Sequence, residues 1–121
     1  MLRTFCLGKI HRATVTDANL DYIGSITIDE TLVDAAGFFA GQMVKINNLR
    51  NGMPWETYIV KGEEGLGEVC LNGPPAHHFK KGDLVIILGY GMVDYEEDTE
   101  PTVVFVDNQN QIIEIKRGTH W

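Results

Sequence analysis

The chain reads as a series of short apolar runs separated by turn signals, with one brief helical interval. Leu2 to Leu7 and Lys9 to Thr16 have the character of two strands, the second carrying Ile10, Ala13 and Val15 among polar neighbours. Asp17-Ala18-Asn19 is a turn signal, and Leu20 to Ile28 is β-prone again with an interruption at Gly24. Asp29 can cap a short helix over Glu30 to Ala36, because its carboxylate can accept from free amides of the first turn, and Gly37 suits the helix end. Met43 to Leu49 and Trp55 to Val60 read as strands around a turn at Asn51-Gly52. Val69 to Leu71 is a brief strand. Asn72-Gly73-Pro74-Pro75 must leave regular pairing, since proline has no amide hydrogen to donate. Leu84 to Leu88 is nearly all apolar, as in a strand buried on both faces, and Thr102 to Val106 and Ile112 to Ile115 flank a turn at Asp107-Asn108. Many short strands with little helix predict a mainly β fold, a small barrel, in a single domain over residues 1–121.

Composition narrows the function classes. At 121 residues and 44% hydrophobic, the chain can bury one modest core. A net charge of −7 argues against a nucleic-acid partner, because phosphate binding needs a basic face. The two cysteines, Cys6 and Cys70, form no Cys-x-x-Cys motif, and reduced thiols in the cytoplasm are expected. Without a long apolar run, neither a signal peptide nor a membrane span is expected. His77 and His78 are neighbours that would point to opposite faces of a strand, so no metal site is expected there. The loop Gly62 to Gly67 carries Glu63 and Glu64 and no following Gly-Lys-Ser/Thr, which argues against a phosphate cradle.

One dipeptide carries distinctive chemistry. Gly24 can take backbone angles closed to other residues and puts no side chain in the way of a group approaching its own carbonyl. The Ser25 hydroxyl lies close to that carbonyl. In a strained turn the hydroxyl can attack, the amide becomes an ester, and β-elimination breaks the chain. The second fragment then begins with a keto group, a pyruvoyl made from the serine. A Gly-Ser pair standing alone is explained by a turn between strands and proves nothing about this chemistry.

Its context is more specific. Gly8-Lys9-Ile10-His11-Arg12, Tyr22-x-Gly24-Ser25-Ile26-Thr27-Ile28-Asp29 and Asp34-Ala35-Ala36-Gly37 are followed by Asn51-Gly52, Thr57-Tyr58, Asn72-Gly73 and Gly82-Asp83-x-Val85-Ile86-Ile87. From about residue 2 to residue 115 this set resembles the aspartate 1-decarboxylase family, pyruvoyl-dependent lyases that make β-alanine for pantothenate biosynthesis. The resemblance implies a six-stranded double-psi β-barrel with short helices, usually a homotetramer with active sites between subunits. It implies a zymogen cut into residues 1–24 and 25–121, with or without a maturation factor, whose Ser25 becomes the pyruvoyl cofactor and forms a Schiff base with an amino acid. By resemblance Thr57 supports the Gly24 carbonyl during self-cleavage, Tyr58 returns a proton to the carbanion, and Lys9 positions a substrate carboxylate. Tyr22, Asn72, Gly73, Pro74 and Pro75 would line the substrate site. Without the resemblance, Lys9 is a solvated strand lysine, Thr57 and Tyr58 are ordinary barrel residues, and Asn72-Gly73 is a hairpin turn.

The chain departs from the family at the substrate clamp. Where the family has an arginine three residues before the Thr-Tyr pair, this chain has Pro54. Where the family has Asn-Gly-Ala-Ala-Ala, this chain has Asn72-Gly73-Pro74-Pro75-Ala76, and both prolines lack the amide that would contact substrate. Apolar Met53, Pro54, Trp55, Pro74 and Pro75 stand in place of a carboxylate grip, with Arg50 the nearby cation in sequence. The expected function is a pyruvoyl-dependent amino-acid α-decarboxylase, with aspartate the substrate by resemblance. A decarboxylase of a less acidic amino acid and a non-catalytic barrel serving as a binding subunit are the alternatives.

Overall fold

The computed structural model describes residues 1–119. Among them nine strands join in one sheet: β1 (Leu2–Thr14), β2 (Asp17–Asn19), β3 (Ser25–Asp29), β4 (Met43–Asn48), β5 (Pro54–Gly62), β6 (Val69–Asn72), β7 (Leu84–Asp94), β8 (Thr102–Val106) and β9 (Ile112–Arg117). Their order across the sheet is β2-β6-β3-β5-β4-β7-β1-β8-β9. One α-helix, α1 (Glu30–Ala36), and a short 3-10 helix over Pro74–His77 complete the described elements.

Alternation along the strands puts Ile10 of β1, Ile26 and Ile28 of β3, Ile46 of β4, Ile59 of β5, Leu71 of β6, Ile87 of β7 and Val104 of β8 into a single buried cluster. Leu32 and Val33 of α1 join it. Each such side chain contributes about 1.5–3 kcal/mol on burial. The expected mainly β fold, a small barrel around one core, is borne out. The sheet has nine strands where the resemblance implied a six-stranded barrel, with β2 and β9 at its two ends.

The helix follows its caps. Asp29 Oδ1 accepts from the Thr31 amide at 2.8 Å, and Gly37 closes the helix at φ 76°. The same carboxylate accepts from the amides of Gly65 at 3.1 Å and Gly67 at 2.7 Å. Burial works to raise the Asp29 pKa, but the amides of Gly67, Thr31 and Gly65 outweigh it and hold the carboxyl below its ordinary range. The glycine loop is thus closed on an anion of its own chain.

Three local expectations are corrected. The two N-terminal strands are one, β1, bent by register shifts between Cys6 and Gly8 and between Ile10 and Ala13. Gly8 does not break it. A Cβ there would lie 2.6 Å from the Ala36 carbonyl, so the glycine lets α1 close on the strand. Asp17–Asn19 is not a turn but a short strand parallel to β6, a pairing with residues far along the chain that overrides the local signal. Leu20 to Gly24 is not strand; extended pairing begins at Ser25.

Candidate active site

β3 runs between β6, which is antiparallel to it, and β5, which is parallel. Ser25 and Thr27 share one face, while Ile26 and Ile28 turn into the core. On the β6 side Ser25 stands opposite Asn72 and Thr27 opposite Cys70. On the β5 side Ile26 pairs with Ile59 and Thr27 with Val60. Running that register back one and two residues sets Tyr58 level with Ser25 and Thr57 level with Gly24. The result is an open cleft of ≈ 390 Å³ lined by Tyr22, Ile23, Ser25, Thr27, Tyr58, Val60 and Asn72.

The Ser25 side chain is held on both sides. Its hydroxyl donates to the Ile23 carbonyl at 3.1 Å and accepts from Asn72 Nδ2 at 3.0 Å. Asn72 Nδ2 also donates to Thr27 Oγ1 at 2.9 Å, and Asn72 Oδ1 accepts from the Cys70 thiol at 3.3 Å. Ser25 is 4% exposed and Asn72 3%, so these neutral bonds form away from water.

The special backbone angle lies not at Gly24, where the sequence suggests it, but at the glycine packed against it across the β3–β6 pair. Gly24 is not in the left-handed region; Gly73 is, at φ 78°. A Cβ on Gly73 would lie 2.8 Å from Gly24 Cα and 2.9 Å from Gly24 N. Gly73 is therefore the floor on which the Gly24 backbone rests, and Asn72-Gly73 leads into the 3-10 helix rather than closing a hairpin.

The structure gathers Tyr22, Ser25, Tyr58 and Asn72 around one cleft, and lays Gly24 against Gly73 and Pro74. It does not bring Lys9 there. Lys9 pairs with Leu88 of β7 and Val103 of β8 and does not line the cleft of its own chain. Thr57 is level with Gly24, but its hydroxyl makes no side-chain hydrogen bond among the described residues. Residues 73–76 offer no free amide: Gly73 N donates to the Asn19 carbonyl at 2.7 Å, Ala76 N donates to Gly73 O at 3.0 Å, and Pro74 and Pro75 have none.

Arg50 is already engaged. Its Nε donates to Asp83 Oδ1 at 2.8 Å and its Nη2 to Asp83 Oδ2 at 3.0 Å. Asp83 also accepts from Asn48 Nδ2 and Lys80 N, each at 2.8 Å. The Arg50 guanidinium, opposed by burial and helped by the other donors, brings the Asp83 carboxyl down to about 2. No group of three or more His, Cys, Asp or Glu side chains is placed to hold a metal among the described residues. None of the helices described is long and apolar enough to cross a membrane.

Ile23, Thr27, Val60 and Cys70 are the residues the sequence reading missed. Thr27 and Cys70 were within reach, being two positions from Ser25 and Asn72 on strands whose alternation places them on the same face.

The family model described as Aspartate decarboxylase matches residues 1–113. A protein of Acetivibrio thermocellus named Aspartate 1-decarboxylase is 52% identical over 118 residues, covering 96% of this chain and 94% of that protein. One of Bacillus cereus with the same name is 52% identical, covering 98% of each chain. A third, from Caldicellulosiruptor bescii, also named Aspartate 1-decarboxylase, is 50% identical over 89% of this chain and 86% of its own.

Proposed function

Because the chain belongs to the aspartate decarboxylase family, we propose that it is a pyruvoyl-dependent α-decarboxylase converting L-aspartate to β-alanine and carbon dioxide, after cutting itself between Gly24 and Ser25. The observation that carries this reading is Ser25, buried with its hydroxyl held between Ile23 O and Asn72 Nδ2 at the wall of an open cleft. Gly73 lets its backbone approach Gly24 more closely than any side chain would allow.

In self-cleavage the Ser25 oxygen adds to the Gly24 carbonyl carbon, the C–N bond breaks, and the nitrogen takes the hydroxyl proton. Residue 25 then loses its Cα proton, and Gly24 departs from Cβ as a free carboxylate. The unsaturated residue left behind takes up water and releases ammonia, so a ketone forms with no oxidant. Asn72 Nδ2, a donor to Ser25 Oγ, stabilises that oxygen as it becomes part of the departing carboxylate. Thr57 is the residue assigned to the Gly24 oxyanion, on its register with Gly24.

A pyruvoyl group at position 25 would be held beside Tyr58 and Asn72 and would supply an electron sink for the carbanion left by decarboxylation. Tyr58 faces the same cleft and returns the proton. Tyr22, Asn72, Gly73, Pro74 and Pro75 border the substrate, and Lys9 holds its remaining carboxylate. Lys9 would reach the cleft from a second copy, and the homotetramer implied by the family is the working form proposed, in keeping with outward-facing Met43, Tyr58, Tyr90 and Met92 that are 41–66% exposed. The enzyme works in the cytoplasm, in keeping with its free thiols, and a maturation factor is a partner to test.

A second reading has its own observation. Among the described residues none lining the cleft is cationic, Arg50 is bound to Asp83, and residues 73–76 have no spare amide. A less acidic amino acid fits such a site as substrate. Intact-mass analysis tests the main reading: two fragments, 1–24 and 25–121, are expected, the second lighter by one ammonia than a serine-headed peptide. Aspartate and neutral amino acids are then compared for released carbon dioxide. A single uncut chain after long warm incubation, with and without a helper extract, overturns it.

A further inference from the structure

We propose that Cys70 is a positioning residue for self-cleavage, its thiol orienting the Asn72 carboxamide so that the amide nitrogen, not the oxygen, faces Ser25. This rests on the self-cleavage reading above. Cys70 and Asn72 are two apart on β6, opposite Thr27 and Ser25 of β3, so all four side chains occupy one face of a two-strand patch.

The donors and acceptors run in one direction. Ser25 has a single hydroxyl proton, and Ile23 O, which can only accept, lies 3.1 Å away to take it. The Asn72 atom 3.0 Å from Ser25 Oγ must then be a donor, which makes it Nδ2. Asn72 Oδ1 is left facing Cys70 Sγ at 3.3 Å, and the thiol must donate. Burial first, then the charges of Asp17 and Glu68, push the Cys70 thiol up to about 11, so it keeps its proton at neutral pH. Cys70 is 6% exposed, so its donation to Asn72 Oδ1 is made in the interior.

If the thiol is lost, the carboxamide can turn over. Its oxygen then accepts the Ser25 proton, and the Ser25 oxygen loses the N–H that stabilises it as it departs with Gly24. A bond of this kind is worth about 3- to 10-fold in rate. The sulfur is a weak donor, so the serine hydroxyl is a fair substitute.

The test follows the cut fraction of freshly purified full-length chain by intact mass. Cys70→Ala is expected to slow cleavage about 3- to 10-fold, and Cys70→Ser to return it to within about 2-fold of the parent. Combined with Asn72→Ala, Cys70→Ala is expected to add nothing, because Cys70 acts only through Asn72. Parental cleavage in Cys70→Ala, equal slowing in Cys70→Ser, or additive slowing in the double variant overturns the proposal. A parent that never cuts defeats the self-cleavage reading, and a second measurement then decides on Cys70. The Asn72 side-chain NH₂ signals, identified by Asn72→Asp, are expected to move in Cys70→Ala and stay in place in Cys70→Ser. Unmoved signals in Cys70→Ala overturn the proposal in a chain that never cuts.

Discussion

Two buried asparagines end neighbouring parts of the sheet and do opposite things. Asn48 closes β4 at 1% exposure and Asn72 closes β6 at 3%. Asn48 gives its amide to the Asp83 carboxylate at 2.8 Å and to the His78 carbonyl at 3.0 Å, within a cluster built on the Arg50–Asp83 ion pair. Asn72 gives its amide only to hydroxyls, Ser25 and Thr27. In the first cluster a buried charge fixes every partner, because releasing any of them leaves the carboxylate less compensated. In the second, all partners are neutral and a hydroxyl can change its bonds without stranding a charge. A reacting group belongs in the second kind of setting. Arg50, tied into the first, gives its Nε and Nη2 to Asp83 rather than to the cleft.

The comparison can be broken most sharply at Ser25. Ser25→Ala removes the attacking oxygen and is expected to abolish cleavage, leaving one mass for the whole chain; any fragment ending at Gly24 would remove Ser25 from its role. Tyr58→Phe leaves the neutral cluster intact and should cut at the parental rate. Its turnover on released carbon dioxide should fall about 10²–10⁴-fold, the usual contribution of a general acid, and parental turnover would move the proton to another group.

Pro54→Arg adds a guanidinium at the start of β5, free of Asp83. An arginine–carboxylate pair is worth about 1.5–3 kcal/mol, roughly 10- to 150-fold at about 1.4 kcal/mol per tenfold. The variant, once cut, should raise kcat/KM for aspartate by that factor, with neutral amino acids unaffected. If aspartate is the sole substrate of the parent and Pro54→Arg brings no gain, Lys9 alone is a sufficient clamp.

The smallest effect is on stability. Asp83→Asn should lower it by about 1–3 kcal/mol at neutral pH, since it leaves buried donors short of an acceptor. It should also change the pH dependence. The folded Asp83 carboxyl titrates near 2 against an ordinary 3.8, so the unfolded chain binds the proton more readily in that window. Its stabilisation is full above about pH 4 and is lost as pH falls toward about 2. Urea titrations across that range should show the slope in the parent and a shallower one in Asp83→Asn.

Much of this was readable in the residues. Asp29 and Gly37 mark the bounds of α1, and the alternation of the short strands marks the core. β2 was not readable, because its partner Cys70 lies far along the chain and parallel pairing leaves no local turn signal. The neutral cluster was half visible: Ser25, Tyr58 and Asn72 stand out, while Cys70 requires the β3–β6 register. The fate of Arg50 depends on Asp83, 33 positions away. Lys9 stands on β1 between β7 and β8 and does not line the cleft, a placement set by pairings with residues far along the chain.

β1 has a consequence for the cut protein. It lies upstream of Gly24, yet it is hydrogen-bonded between β7 and β8 in the middle of the sheet. If the chain cuts after residue 24, its first fragment, carrying interior β1 and edge strand β2, is held to the rest by non-covalent bonds. An uncut chain keeps β1 and β2 tethered as it refolds, whereas a cut one would have to recover both from solution. Its recovery from heat or denaturant would then depend on fragment concentration, and a bond broken to create chemistry would make folding effectively a one-time event at high dilution.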